Sequence, residues 1–220
     1  MKKGLTELVF ILDRSGSMGG LEPDTIGGYN ALMEKQKKET GEAIVSTVLF
    51  DDKAEVLYDR VKLAEVPRMT EKEYYVRGCT ALLDVLGGAI HHIGNVHKYV
   101  RNEDRPEKTL FIITTDGQEN SSRRYTYEKV KKMVERQKEK YGWEFLFLGA
   151  NIDAIAEAGR FGITPERAVN YKCDSKGTAV NYRALSKAVS RVRHCSAAEM
   201  NEALAADWKE EIEADYQRRG

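Results

Sequence analysis

Two short segments of the chain combine carboxylates and hydroxyls at spacings that suit a hard metal ion. Asp13-Arg14-Ser15-Gly16-Ser17 carries side-chain oxygens at i, i+2 and i+4. In an extended stretch such residues point to one side, so Asp13, Ser15 and Ser17 can present three oxygens to one point. Gly16 lets the backbone wrap, and Gly19-Gly20 frees the exit. Thr114-Thr115-Asp116-Gly117 supplies a second carboxylate, and Thr80 a further hydroxyl. Oxygen donors of this kind suit Mg²⁺, with Mn²⁺ or Ca²⁺ as alternatives. Charge matters more than ligand number here. Hydroxyls are neutral, so only Asp13 and Asp116 bring negative charge, and Mg²⁺ usually retains waters in its shell. A dication held by so few protein anions stays electrophilic and can accept a carboxylate from outside.

The elements that must position these residues follow from hydrophobic periodicity. Leu8 to Leu12 and Leu110 to Ile113 are short continuous apolar runs, as in strands buried on both faces of a parallel sheet. Each runs into one of the two polar segments, so both carboxylates are expected at one sheet edge, where open α/β sheets bind ligands. Further strands are expected over residues 43–50, 54–61, 143–148 and 168–171. The second of these follows its neighbour after only three residues, which requires an antiparallel pairing. Amphipathic helices are expected over 25–40, 127–141, 152–160, 179–192 and 197–218, with a long one opening at Thr80. Alternating strands and helices imply an α/β layer sandwich, mostly parallel, with helices on both faces. The stretch after Ser175 has a helical pattern only, which suggests residues 1–175 as the main domain and 176–220 as a helical extension packed on it.

Asp13-Arg14-Ser15-Gly16-Ser17, Gly78-Cys79-Thr80 and Thr115-Asp116-Gly117 together resemble the von Willebrand factor A domain with its metal-ion-dependent adhesion site. The resemblance covers roughly residues 6–172 in element order. It implies a Rossmann-like three-layer sandwich whose central sheet has one antiparallel edge strand. It also implies roles. The serines matching Ser15 and Ser17 coordinate the metal directly, and the threonine matching Thr80 does so when ligand is bound. The aspartates matching Asp13 and Asp116 act largely through water, and a partner's Glu or Asp fills the open position. The chain looks most like stand-alone cytoplasmic members from bacteria and phages, some of them encoded beside ring-shaped ATPases.

Composition narrows the function further. Of the 220 residues, 35 are Lys or Arg and 35 are Asp or Glu, so the net charge is zero and no overall field favours nucleic acid or an anionic membrane. The apolar run at Leu8 to Leu12 is too short for a signal peptide or a span. Three cysteines without a C-x-x-C pair suit a reducing cytoplasm. Cys79 is read as a small buried apolar side chain. No P-loop or G-x-G-x-x-G sequence is present, so the glycine-rich loop is not assigned to phosphate. His91, His92 and His97 lack the i, i+4 spacing of a zinc pair and are read as surface or half-buried. Tyr74, Tyr75, Tyr125 and Tyr127 are equally compatible with packing or an interface, and Arg123-Arg124 is read as a solvated turn. Thr80 is as compatible with capping its helix as with ligation.

The expectation is therefore a non-enzymatic, metal-dependent protein-binding module. A metal-assisted hydrolase or phosphatase is the first alternative; it suffers from having no histidine near the three loops and no carboxylate at Ser15. A scaffold acting through its C-terminal helices is the second.

Overall fold

The computed structural model describes residues 1–219. Strand β1 (Lys2–Asp13) is buried from Leu5 onward. It lies between β2 (Ala43–Phe50) and β4 (Pro106–Thr115), parallel to both. β3 (Ala54–Lys62) pairs antiparallel with β2 at one edge. β5 (Glu144–Gly149) and β6 (Ala168–Asn170) extend the parallel array on the other side. The sheet order is β3-β2-β1-β4-β5-β6. This is a mostly parallel, Rossmann-like sheet with one antiparallel edge strand.

The pleat of β1 divides the core into two layers. Leu8, Phe10 and Leu12 face α1 (Glu22–Lys37), α5 (Ser175–His194) and α7 (Glu210–Arg218). Val9 and Ile11 face α2 (Leu82–Tyr99), α3 (Tyr127–Tyr141) and α4 (Ala154–Arg160). Helices thus cover both faces in three layers. Val180, Leu185, Val189 and Val192 of α5 belong to the same apolar cluster as β1.

Several boundaries differ from the sequence reading. α1 starts three residues early because Pro23, within its first two positions, is preset for a helical start. α5 starts at Ser175 because the Asp174 side chain caps it, accepting from Gly177 N at 2.8 Å. The single helix expected over 197–218 is broken. A capping box at Ser196 and Glu199 opens a short turn into α6 (Met200–Ala203), and α7 follows after a second turn at Ala206–Lys209. The break has a cause. Buried Arg167 takes the carbonyls of Asn201 and Leu204, which a continuous helix would need for itself. Among the described residues no helix is long and apolar enough to cross a membrane.

Candidate metal centre

The order of strands reverses between β1 and β4, so the loops leaving their carboxyl ends diverge and open a crevice there. Leu12 pairs with Thr114, and Asp13 and Asp116 emerge side by side. Both are buried, as are Ser15 and Thr80, whereas Ser17 is exposed.

Hydrogen bonds join the segments. Ser17 Oγ donates to Asp116 Oδ1 at 2.6 Å and lies 3.0 Å from Ser15 Oγ. Asp13 Oδ1 accepts from Ser15 N at 2.7 Å, and its Oδ2 accepts from Thr115 Oγ1 at 2.5 Å. Thr80 approaches from the third loop. A Cβ built on Gly117 would lie 2.9 Å from Thr80 Oγ1 and 3.4 Å from Ser17 Oγ. The missing side chain at Gly117 thus leaves a small space that both hydroxyls face. The structure brings Asp13, Ser15, Ser17, Thr80 and Asp116 into one cluster.

Backbone pairing explains why the loops hold this shape. Arg77 N donates to Arg14 O at 2.9 Å, and Gly16 N donates to Gly78 O at 3.2 Å. Gly78 has φ +67°, and a Cβ there would meet Asp52 Oδ1 at 2.8 Å, so the tight crossing requires glycine. Tyr74, fully buried, donates to Asp13 O at 2.5 Å. It is a packing residue; Tyr75 is exposed.

Thr80 does not cap α2. The capping position falls on Ala81, with no side-chain bond of its own. The free amides of the first turn go to the loop after Asp116 instead: Leu83 N donates to Glu119 Oε2 at 2.8 Å and Asp84 N to Ser122 Oγ at 3.0 Å. Asn120 clasps Thr80 through both its backbone and its side chain. Glu119 and Asn120 therefore lock the second loop to the third and leave the Thr80 hydroxyl free to face Gly117. Cys79 is exposed rather than buried, because the extended loop that turns Thr80 inward points its neighbour outward.

The electrostatics of the cluster favour a cation. Burial raises the Asp13 carboxyl to about 6; the hydrogen bonds from Thr115 and Ser15 pull it down, and the nearby charge of Asp116 adds to the rise. Asp116 is also raised, first by burial, against the bonds from Ser17 and Cys173. A dication between the two carboxylates reverses this penalty. Among the described residues no group of three or more His, Cys, Asp or Glu side chains comes together as a metal cluster. The donor set is thus hydroxyl-rich with two acids, which fits a hard oxygen-seeking dication and leaves most of its charge uncompensated.

Sequence reasoning missed three features of the site. Arg14, fully buried, donates to Asp51 Oδ2 at 3.0 Å, to Glu55 Oε2 at 2.6 Å and to Glu73 O at 3.3 Å. Arg77 Nε shares Asp51 Oδ2 at 2.7 Å, so this ion network pins the first and third loops together. Thr115 is the donor that fixes Asp13. Cys173, just beyond β6, places Sγ 3.5 Å from Asp116 Oδ2; burial pushes its thiol up to about 12, so it remains a donor. The histidines lie elsewhere. His97 is buried on α2 against Glu7, and His92 pairs with Asp59 at 2.9 Å. Arg123 and Arg124 are exposed, as expected of a solvated turn.

No family model matches the sequence, and no curated protein does. Solved structures do match. The proximal thread matrix protein 1 from the mussel byssus, in a form with a zinc-occupied MIDAS motif, superposes with a TM-score of 0.55 at 17% identity, over 85% of this chain and 46% of that one. A von Willebrand factor type A protein from Catenulispora acidiphila gives 0.55 at 16% identity, over 82% and 41%. Manganese-loaded TRAP protein from Plasmodium vivax gives 0.55 at 16% identity, over 82% and 73%. The chain spans less than half the length of the first two. Strand order, antiparallel edge and these superpositions together give this chain the von Willebrand factor A fold.

Proposed function

We propose that this chain is a divalent-metal-dependent protein-binding module. Asp13, Ser15, Ser17, Thr80 and Asp116 hold the ion, and an acidic side chain of a partner completes its coordination. Mg²⁺ is the ion proposed, on its fit to oxygen donors. Bound there, the ion supplies a Lewis-acidic position for an incoming carboxylate.

The observation that carries this reading is the join at Ser17. Ser17 is an exposed residue yet its hydroxyl is bonded to the buried Asp116, so the cluster has one open side. Both oxygens of Asp13 already accept bonds from protein donors, so this residue contributes mainly charge. Among the described residues no histidine belongs to the cluster: the histidines lie on α2 and at the end of α5, which supports a binding role over a hydrolytic one.

The partner proposed is a protein that presents Glu or Asp on an accessible loop, a ring-shaped ATPase being one such protein. The three cysteines are free thiols, which supports a cytoplasmic setting for a stand-alone protein of bacterial or phage type. Residues 1–175 are proposed to carry the metal site, with 176–220 as a helical extension that completes the core on the α1 face.

Immobilised chain is the test. Extracts of the source cells passed over it in Mg²⁺ should yield a partner that elutes with EDTA, and the Asp13→Ala and Ser15→Ala chains, still folded by circular dichroism, should not retain it. A partner held equally well in EDTA would remove the metal from the account.

A further inference from the structure

A second pocket lies at the amino-terminal edge of the sheet, at the far end of β4 from Asp116 and so about 30 Å away. It has a volume of about 480 Å³ and opens between the last turns of α2 and α3, above Arg105 at the start of β4 and Trp143 at the start of β5. Three cationic side chains line it, Lys98, Arg105 and Arg136, together with His91 and His97, and no carboxylate does. In a chain of zero net charge that segregation is specific.

Two buried polar atoms there have no hydrogen-bond partner: Nε of Arg105 and Oε1 of Gln137. Leaving such groups unpaired is costly. Buried guanidiniums elsewhere are engaged, Arg14 by two acids and Arg167 by Glu144 and two carbonyls. Nε of Arg193 and of Arg219 is unpaired as well, but their terminal nitrogens are engaged, those of Arg193 by the carbonyls of Gln36, Thr40 and Gly41 and those of Arg219 by Asp174 and Asp215. Among the described residues Arg105 forms no ion pair. Of the acids nearest in sequence, Glu103 and Asp104 are taken by Arg101 and Glu107 accepts from Gly4 N, while Glu7 behind the pocket is taken by Arg60 and His97.

Cations at helix C-termini also serve the helix dipole, which accounts in part for Lys98 and Arg136. It does not account for Arg105, which belongs to no helix. Nor does the end of α3 need a cation, because Gly142 N and Trp143 N already close it on the carbonyls of Lys138 and Gln137. Ile90, Met133 and Trp143 give the pocket an apolar wall, and Asn95 and Tyr141 add polar edges. The sequence has no glycine-rich phosphate loop, and the pocket supplies cationic side chains in its place.

We propose that this pocket binds a phosphorylated small molecule of nucleotide size, with its phosphate on Lys98, Arg105 and Arg136 and a ring N–H donating to Gln137 Oε1. Such a molecule satisfies both orphaned atoms and covers the apolar wall. The site is independent of the metal centre. AMP and inorganic phosphate, titrated separately into the whole chain in EDTA and followed by calorimetry, provide the test. AMP should saturate a single site at micromolar concentration, and phosphate should bind roughly tenfold more weakly or worse. Arg105→Gln should weaken AMP by about 10- to 100-fold, the loss expected for one charge-assisted bond. Lys98→Gln, an exposed change that leaves folding alone, should weaken it in the same direction. The proposal is overturned if neither ligand saturates at millimolar concentration or if both variants bind AMP as the native chain does. It is equally overturned if phosphate binds as tightly as AMP.

Discussion

Arg14 stands between two of the proposed metal ligands and is the largest fully buried side chain among the described residues. A buried guanidinium requires full compensation, and Asp51 and Glu55 provide it. Arg14→Ala should therefore lose about 3–5 kcal/mol in urea unfolding, because it leaves Asp51 buried with one partner fewer; a loss under about 1 kcal/mol would show the network to be incidental. The same network sets an acid limit. Burial alone pushes the Asp51 carboxyl up, but bonds from Arg77, Lys53 N and Arg14 outweigh it and bring it down to about 2. Its folded value thus lies below the unfolded value of roughly 3.9. The stabilisation is complete above about pH 4 and is lost as pH falls through about 2. Urea midpoints measured down that range should fall in the native chain and fall less in Asp51→Asn. At the metal centre, Thr115→Val removes the donor that fixes Asp13 and should weaken Mg²⁺ by about 10- to 100-fold, measured by calorimetry. The five proposed ligands were legible in the sequence because each sits at a strand exit or a helix start, in a local pattern. Arg14 was not. A cation in a polar loop reads as solvated, and its partners lie 37 and 41 residues away. The Asp13–Thr115 bond spans 102 residues and was equally invisible.

At the scale of elements, β1, β4 and the antiparallel β3 were read correctly because continuous apolar runs and a three-residue turn are local signals. The C-terminal break was not legible. Residues 197–218 have a helical period throughout, but the carbonyls that end α6 are captured by Arg167 from another part of the chain. Close packing of α1 on α5 also lies beyond periodicity. A Cβ on Gly28 would stand 2.2 Å from Cδ2 of Tyr182 and 2.6 Å from its Cγ, so the ring cannot simply swing away. Gly28→Ala gains about 1 kcal/mol of helix propensity. Overpacking costs typically about 1–3 kcal/mol, and at this separation the upper end applies. A net loss of thermal stability is expected; a rise in melting temperature would mean that the two helices separate without cost.

The whole molecule places a hydroxyl-rich, two-carboxylate cluster at the one crevice its strand order creates and closes the opposite face with its C-terminal helices. Since α5 supplies Val180, Leu185, Val189 and Val192 to the core under β1, a chain ending at Ser175 should be insoluble or molten, as judged by near-UV dichroism. A folded, Mg²⁺-binding fragment would instead make residues 176–220 a separable attachment. The ion and its open side can be tested together. Mn²⁺ titrated into metal-free chain and followed by water-proton relaxation reads both at once. A single saturable site with enhanced relaxation is expected, because water fills the position meant for a partner's carboxylate. The signal should disappear in Asp13→Ala. No saturable binding, or the same binding in Asp13→Ala, would contradict the proposed metal site.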